Sequence, residues 1–192
     1  MKVIDIKCQD SINSSLNCCH LEGPKDPLHL GRYNQIYLFF NLPAFLEPRQ
    51  IDCAKLILYK APPFGRRDEN AQCEESRYYL FPLLDYFSVY SCKFCKPAID
   101  TCRRVVFYND YCKSYTEIDI TSIVKDWLDF NIENKGLLLV GSGHSECVFY
   151  ESNRSDFVGM RPTLRLFCSG ISPFPTPTLA CADCDVVINR PS

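Results

Sequence analysis

Thirteen cysteines in 192 residues, Cys8, Cys18, Cys19, Cys53, Cys73, Cys92, Cys95, Cys102, Cys112, Cys147, Cys168, Cys181 and Cys184, are the side chains of this protein best equipped for chemistry. A thiolate can bind a metal, exchange with a disulfide or pair with a second thiol, and chains kept in a reducing cytosol seldom carry so many. Oxidation or metal binding is therefore expected. The count is odd, so complete pairing within one chain leaves one sulfur over, either as a reactive thiol or as a bond to another chain.

Two CxxC pairs, Cys92/Cys95 and Cys181/Cys184, could together offer four thiolates to a tetrahedral zinc ion. The stretch between them is far longer than the roughly 15–20 residues of a zinc ribbon. A redox CxxC sits at a helix N-terminus that lowers its thiol pKa, and neither pair precedes a helical pattern. Disulfide stapling is the reading that remains, each internal bond worth about 2–4 kcal/mol through loop closure. Cys53, Cys147 and Cys168 lie in or at the ends of strand-like runs, where a cysteine can act as a small buried hydrophobe. Cys8, Cys18, Cys19, Cys92, Cys95, Cys181 and Cys184 lie in loops or arms and are the candidates for structural or intermolecular disulfides. No metal site or cofactor is assigned.

Catalytic groupings are poor. His20, His29 and His144 flank no paired ligand motif and read as loop residues. Ser142, His144 and Cys147 come close together in "VGSGHSEC", but the GxSxG elbow that exposes a nucleophile is missing, and the glycines read as a turn between strands. No pair of carboxylates stands out for glycoside hydrolysis. No enzyme is expected. Rings in "RYYLF" and "YFSVY" could present a glycan-binding platform, although in an all-β chain such rings usually fill a core or pair across strands.

The elements that must hold these residues are mostly short β-branched and aromatic runs between turn-forming clusters. Strands are expected at 3–7, 35–41, 55–60, 78–84, 87–91, 104–108, 115–120, 137–140, 147–151, 163–168 and 185–189. In "YTEIDI", Thr116, Ile118 and Ile120 share one face and Glu117 and Asp119 the other. "PTLRLF" alternates in the same way through Leu164, Arg165 and Leu166. Only "TSIVKDWLDF" predicts a helix, with Ile123, Val124, Trp127 and Leu128 on one stripe behind a capping Thr121 or Ser122. Loops are expected at "NCCHLEGPKDPLHLG" and "APPFGRRDENAQCEES", and "SGISPFPTPTLACADC" reads as a proline-rich spacer. The fold class predicted is all-β, an antiparallel β-sandwich of jelly-roll type with one short helix and an extended C-terminal arm. One domain is expected over 1–168, and the linker and arm over 169–192.

Twenty-one basic against 23 acidic residues give a formal charge of −2, a field that selects neither nucleic acid nor an anionic membrane. No apolar run approaches the ~20 residues of a membrane span. The start, MKVIDIKCQDS, lacks the unbroken apolar stretch of a signal peptide because Asp5 and Lys7 interrupt it. A chain made without a leader, or one whose leader has been removed, is expected.

From Tyr115 to Phe167 the run "YTEIDITSIVKDWLDFNIENKGLLLVGSG", then "CVFYESN" and "RPTLRLF", resembles the DNRLRE domain family. The family pattern there is a strand leading into DxTxxVxxW, an N-x-G-l-x-L strand, an F-x-S-like strand and a closing RPxLxL strand. In the first half, "DSINSSLNCC", "LHLG", "IYLFFNLP" and "CAKLILYK" are similar to its opening strand, second element, third and fourth strands. The resemblance covers about residues 10–167. Where members carry a Trp–x–Glu-like element and a TW pair, this chain has "YFSVYSCKFCKPAIDTC". The resemblance implies a β-sandwich related to carbohydrate-binding modules, of the kind found in bacterial surface and secreted proteins, and a non-catalytic role.

The family pattern ends near Phe167, which leaves a CxxC and a strand-like run, Asp185, Val186, Val187, Ile188 and Asn189, beyond a stiff spacer. Such a strand can add to the exposed edge of a neighbour, and head-to-tail contacts of that kind give fibres or lattices. The expected function is a non-enzymatic structural subunit that assembles with copies of itself into a disulfide-crosslinked fibre or layer. Its expected location, by analogy with leaderless cysteine-rich surface proteins, is a bacterial, and specifically spore, surface. The competing expectation is a carbohydrate-binding module of a cell-surface or secreted protein. Copies of itself, other surface proteins or a glycan are the expected partners, with no nucleic acid and no membrane span.

Overall fold

The computed structural model describes residues 1–15, 27–62, 76–88, 90–91, 96–110, 112–143 and 145–169. Eleven strands and one α-helix follow one another along them. The order is β1 (Lys2–Lys7), β2 (Asp10–Ser15), β3 (Leu28–Leu30), β4 (Asn34–Phe39), β5 (Ile51–Tyr59), β6 (Arg77–Pro82), β7 (Val105–Tyr108), β8 (Tyr115–Asp119), α1 (Thr121–Leu128), β9 (Leu137–Gly141), β10 (Val148–Tyr150) and β11 (Thr163–Cys168).

Every strand pairing is antiparallel. One sheet runs β1-β11-β5-β8, a second runs β2-β4-β9-β6-β7, and β10 pairs with β3 alone. Alternation dictates which side chains meet. Leu56 and Leu58 of β5, Ile118 of β8 and Leu164 and Leu166 of β11 meet Ile36 and Leu38 of β4, Leu137 and Leu139 of β9 and Tyr78 and Leu80 of β6 in one buried cluster. The fold is thus all-β and sandwich-like, with one face of each large sheet in a shared core. Helix α1 adds Ile123, Val124 and Trp127 to that core and packs against β5.

The outer faces of the two sheets differ sharply. Across the four-stranded sheet, Asp5, Arg165, Lys55 and Asp119 stand in one register row. Arg165 grips Asp5 through two bonds of 2.7 and 2.8 Å, and Lys55 reaches Glu117 at 2.6 Å. Across the five-stranded sheet the corresponding rows are Ile12, Tyr37, Leu138 and Phe81, then Gln35, Val140, Tyr79 and Val106. Ile12, Tyr37 and Leu138 of the first row join Leu83 in a second apolar cluster, capped by Phe87, whose ring stacks on Tyr37 at 4.3 Å.

Three sequence expectations are corrected. The described residues of the run 87–91 form no strand: Ser91 N–H donates to Ser88 O (2.9 Å) and Ser88 N–H to Ser91 Oγ (2.9 Å), so the serines close a turn that leaves Tyr90 in solvent. Leu28–Leu30, expected inside a loop, forms β3, since Leu28 and Leu30 are buried and β10 supplies its ladder partners. The α1 cap is not a side-chain hydroxyl. Ile120 is the N-cap residue, and Thr121 Oγ1 instead accepts Ala54 N–H (2.9 Å) while donating to Asp119 (2.6 Å), which locks β5 to the helix start.

Of the motif residues that carried the resemblance, the apolar ones (Val124, Trp127, Leu164 and Leu166) fill the core, and the polar ones and the glycine act on the backbone. Asp119 also receives Thr121 N–H (2.9 Å). Asn134 donates to Phe40 O (2.8 Å) and accepts Gly136 N–H (3.3 Å). Gly136 has φ +107°, and a Cβ there would lie 2.7 Å from the Phe39 ring, so only glycine fits. Arg161 closes on Ser155 O through two bonds, and Thr163 Oγ1 donates to Arg161 O (2.8 Å).

Candidate functional site

The short strand β7 ends the five-stranded sheet, and no described strand pairs with its other edge. On each side of it the sequence repeats one motif, Asp-x-Cys-basic: Asp100, Cys102 and Arg103 before, Asp110, Cys112 and Lys113 after. An aspartate that accepts the N–H two residues on makes a side-chain turn, and both copies do so. Cys102 N–H donates to Asp100 Oδ1 (2.9 Å) and Cys112 N–H to Asp110 Oδ1 (3.0 Å). In both copies the basic residue turns back to its aspartate, at 2.6 Å for Arg103 and 3.5 Å for Lys113.

Each turn is anchored to the body. Arg103 also binds Asp126 of α1 at 2.5 Å, so one guanidinium ties the first turn to the helix. Arg103 is the main reason why the carboxyls of Asp100 and Asp126 are held below the usual aspartate range. Beneath the second turn, Lys60 is buried and its ammonium donates to Asp110 O (2.5 Å) and Lys113 O (2.7 Å). Burial pushes the Lys60 pKa down, and the carbonyls replace the water that the ammonium has lost. Two exposed, free thiols, those of Cys102 and Cys112, are in this way presented on fixed turns at opposite ends of one edge strand.

Between the thiols, Arg104, Val106 and Tyr108 are exposed on the outer face, whereas Phe107 faces the core and stacks on Tyr78 (5.5 Å). The Arg104 guanidinium lies 5.3 Å from the centre of the Tyr79 ring. A ring under a guanidinium is a favourable contact and also fixes where the charge stands.

The other cysteines are treated differently. Cys8, an expected disulfide candidate, is buried; its thiol donates to Asp10 O (2.9 Å), and burial pushes its pKa up to about 12. Cys168 is buried, with its pKa raised chiefly by burial. Cys53 is half-buried on the outer face, and Cys147, expected to be a small buried residue, is exposed because it precedes β10 in a loop. No disulfide joins described cysteines. The candidates Cys18, Cys19, Cys92, Cys95, Cys181 and Cys184, and the arm residues Asp185, Val186, Val187, Ile188 and Asn189, lie outside the described residues. So do His20 and His144.

Of the expected glycan-facing rings, Tyr78 is buried and donates to Glu146 O (2.8 Å), while Tyr79 faces outward beside Phe81. Tyr86 is exposed and bonded to Glu133. His29 stands edge-on to Phe149 (4.5 Å). Ser142 is held in its turn, its hydroxyl 3.0 Å from that of Ser145. A shallow groove lies between α1 and the turn at Pro48–Gln50, lined by Glu47, Pro48, Arg49, Lys125 and Asp129, with Glu47 already paired to Arg49 at 2.5 Å. Among the described residues no three His, Cys, Asp or Glu side chains are grouped to hold a metal ion, and no helix is long and apolar enough to cross a membrane.

Sequence reasoning passed over Cys102 and Cys112. The signal was the recurrence of Asp-x-Cys-basic ten residues apart around a four-residue strand, which marks two like turns rather than two unrelated loops. Compared with known proteins, the chain matches no family model and no curated protein.

Proposed function

We propose that this chain is a non-enzymatic structural subunit that joins copies of itself into a disulfide-crosslinked fibre or layer on a bacterial surface, the spore surface being the setting favoured. The observation that carries the reading is the presentation of the Cys102 and Cys112 thiols on anchored turns at the ends of an edge strand. Unpaired strand edges attract other strands, and exposed thiols become lasting crosslinks where the surroundings oxidise them. The linker and arm over 169–192, with their CxxC, supply a second means of attachment by strand addition.

Jelly-roll connectivity and kinship with the DNRLRE family belong to the same proposal. Their support is that the matching residues Asp119, Thr121, Asn134, Gly136 and Arg161 bond or shape the backbone, as a scaffold module requires. The alternative is a carbohydrate-binding module, favoured by the outward Tyr79, Phe81 and Tyr108 with Arg104 over Tyr79.

Non-reducing electrophoresis and negative-stain microscopy, each with and without reductant, separate the two. A ladder or ordered fibres that collapse on reduction support the structural subunit. A compact monomer under both conditions overturns it and leaves retention on polysaccharide columns to decide the alternative.

A further inference from the structure

The segment from Cys102 to Cys112 is self-complementary when it is read against itself in reverse. Centred on Phe107, an antiparallel pairing sets residue i opposite residue 214 − i. Cys102 then faces Cys112, Arg104 faces Asp110, and Val106 faces Tyr108. Arg104, Val106 and Tyr108 alternate along one extended run and so share a face by the two-residue period of a strand, while Asp110 and the two cysteines continue the same register onto the turns that flank it. That is the exposed outer face on which Arg104, Val106 and Tyr108 stand.

We propose that β7 is the docking edge for β7 of a second copy, about a two-fold axis through Phe107, and that two symmetric Cys102–Cys112 disulfides seal the pair. This deepens the crosslinked-subunit reading, on which it rests, by naming the partner and the bonds at this edge. The interface is isologous: each copy offers the same thiol, cation, apolar and anion sequence, and each meets its complement. A two-fold perpendicular to the sheet keeps the core-facing Phe107 of both copies on one side, so two five-stranded sheets become one continuous sheet. Opposite Cα atoms of an antiparallel pair lie about 4.5–5.5 Å apart, so the β7 pairing brings each Cys102 turn beside the partner's Cys112 turn, and the bond needs the two turns to come within the about 4.4–6.8 Å that a disulfide spans. A bond within one chain is disfavoured by the intervening strand. Four residues of β7 already extend about 10 Å, past the about 7 Å limit for bridging.

Each bond forms by exchange with an oxidised disulfide such as oxidised glutathione. One thiolate attacks it and releases a glutathione thiolate. The partner thiolate then attacks the mixed disulfide and releases the second. Two thiols are oxidised, one disulfide is reduced to two glutathione thiols, and the protons pass between thiols.

The test mixes equal amounts of unlabelled and ¹⁵N-labelled full-length protein, reduced, and then adds oxidised glutathione. Digestion without reduction, followed by mass spectrometry, should yield a Cys102–Cys112 peptide pair of which half carries one label from each chain. Cys181→Ser/Cys184→Ser, in which the arm cannot crosslink, should keep a dimer band, and adding Cys102→Ser/Cys112→Ser to it should abolish that band. Arg104→Glu should slow dimer formation about threefold to tenfold at low salt, and the difference should shrink at high salt. Pairs carrying only one label, or no Cys102–Cys112 pair at all, overturn the proposal. If the fourfold variant still forms the same reductant-sensitive dimer, this edge is not the joint although the crosslinked-subunit reading stands. If no variant and no wild-type sample crosslinks, both fall.

Discussion

Cys8 and Cys112 share a side chain and little else. Burial holds the Cys8 thiol protonated, with a pKa of about 12, so on the order of 10⁻⁴ of it is ionised at pH 8. Cys112 lies in solvent on a turn fixed by Asp110. Brief alkylation at about pH 8 should therefore mark Cys102 and Cys112 in native protein and Cys8 only after unfolding. Peptide mass spectrometry reads this directly, and equal labelling of Cys8 in the native state would contradict its described environment. The carboxylates around the Cys102 turn have their own pH dependence. Asp100 and Asp126 are held below their unfolded value by Arg103, so their stabilising contribution is complete above that value and is lost as pH falls through the lowered ones. The urea midpoint of wild-type protein should fall on acidification through this window, and the fall should be shallower in Arg103→Met. Identical acid limbs for the two proteins would show that the pairing is not linked to stability.

At the scale of elements, the connections carry the sharpest constraints. Gly136→Ala forces a side chain into a left-handed backbone position and against Phe39, and should cost about 2–4 kcal/mol by denaturant titration. Thr121→Val removes the acceptor of Ala54 N–H and should cost about 1–3 kcal/mol. A loss below about 0.5 kcal/mol in either variant would mean that the joint relaxes freely. The sequence made strands legible where one face is buried. Residues 115–120 and 163–168 alternate cleanly, and β8 and β11 lie there to within one residue. Alternation alone concealed β2, which only the likeness of "DSINSSLNCC" to an opening strand marked: its Asp10–Ser15 run contains only Ile12 as an apolar side chain, and partners remote in the chain hold it, through Ser11 to Asn153 (2.8 Å) and Asn13 to His29 N–H (3.0 Å). The sequence overstated 87–91, because aromatic and β-branched composition does not reveal that two serines will close a turn. The thiol turns were missed for a related reason. Cys102 and Cys112 acquire meaning only once β7 is seen to end its sheet.

For the whole molecule, the contrast between a charge-laced outer face and an aromatic one sets how copies can meet. Rows of paired opposite charges stay solvated and favour separation, whereas a self-complementary edge beside an apolar face favours one orientation. Deleting 170–192 should leave dimers joined through β7 while removing longer ladders, as sedimentation under oxidising conditions would show. Ladders unchanged by the deletion would rule out the arm as a joint. The pairing of β1 with β11, from Lys2 beside Cys168 to Lys7 beside Thr163, also has a mechanical meaning. A load applied between the first residues and the chain beyond Cys168 pulls two antiparallel neighbours apart from the same end, so their cross-strand bonds break in succession, as in unzipping. A load carried through Cys102 and Cys112 enters β7 at both of its ends at once, so its bonds to β6 bear the load together instead of breaking in succession. A material built from this subunit would be compliant where stress enters through the termini and stiff where it enters through the β7 edge.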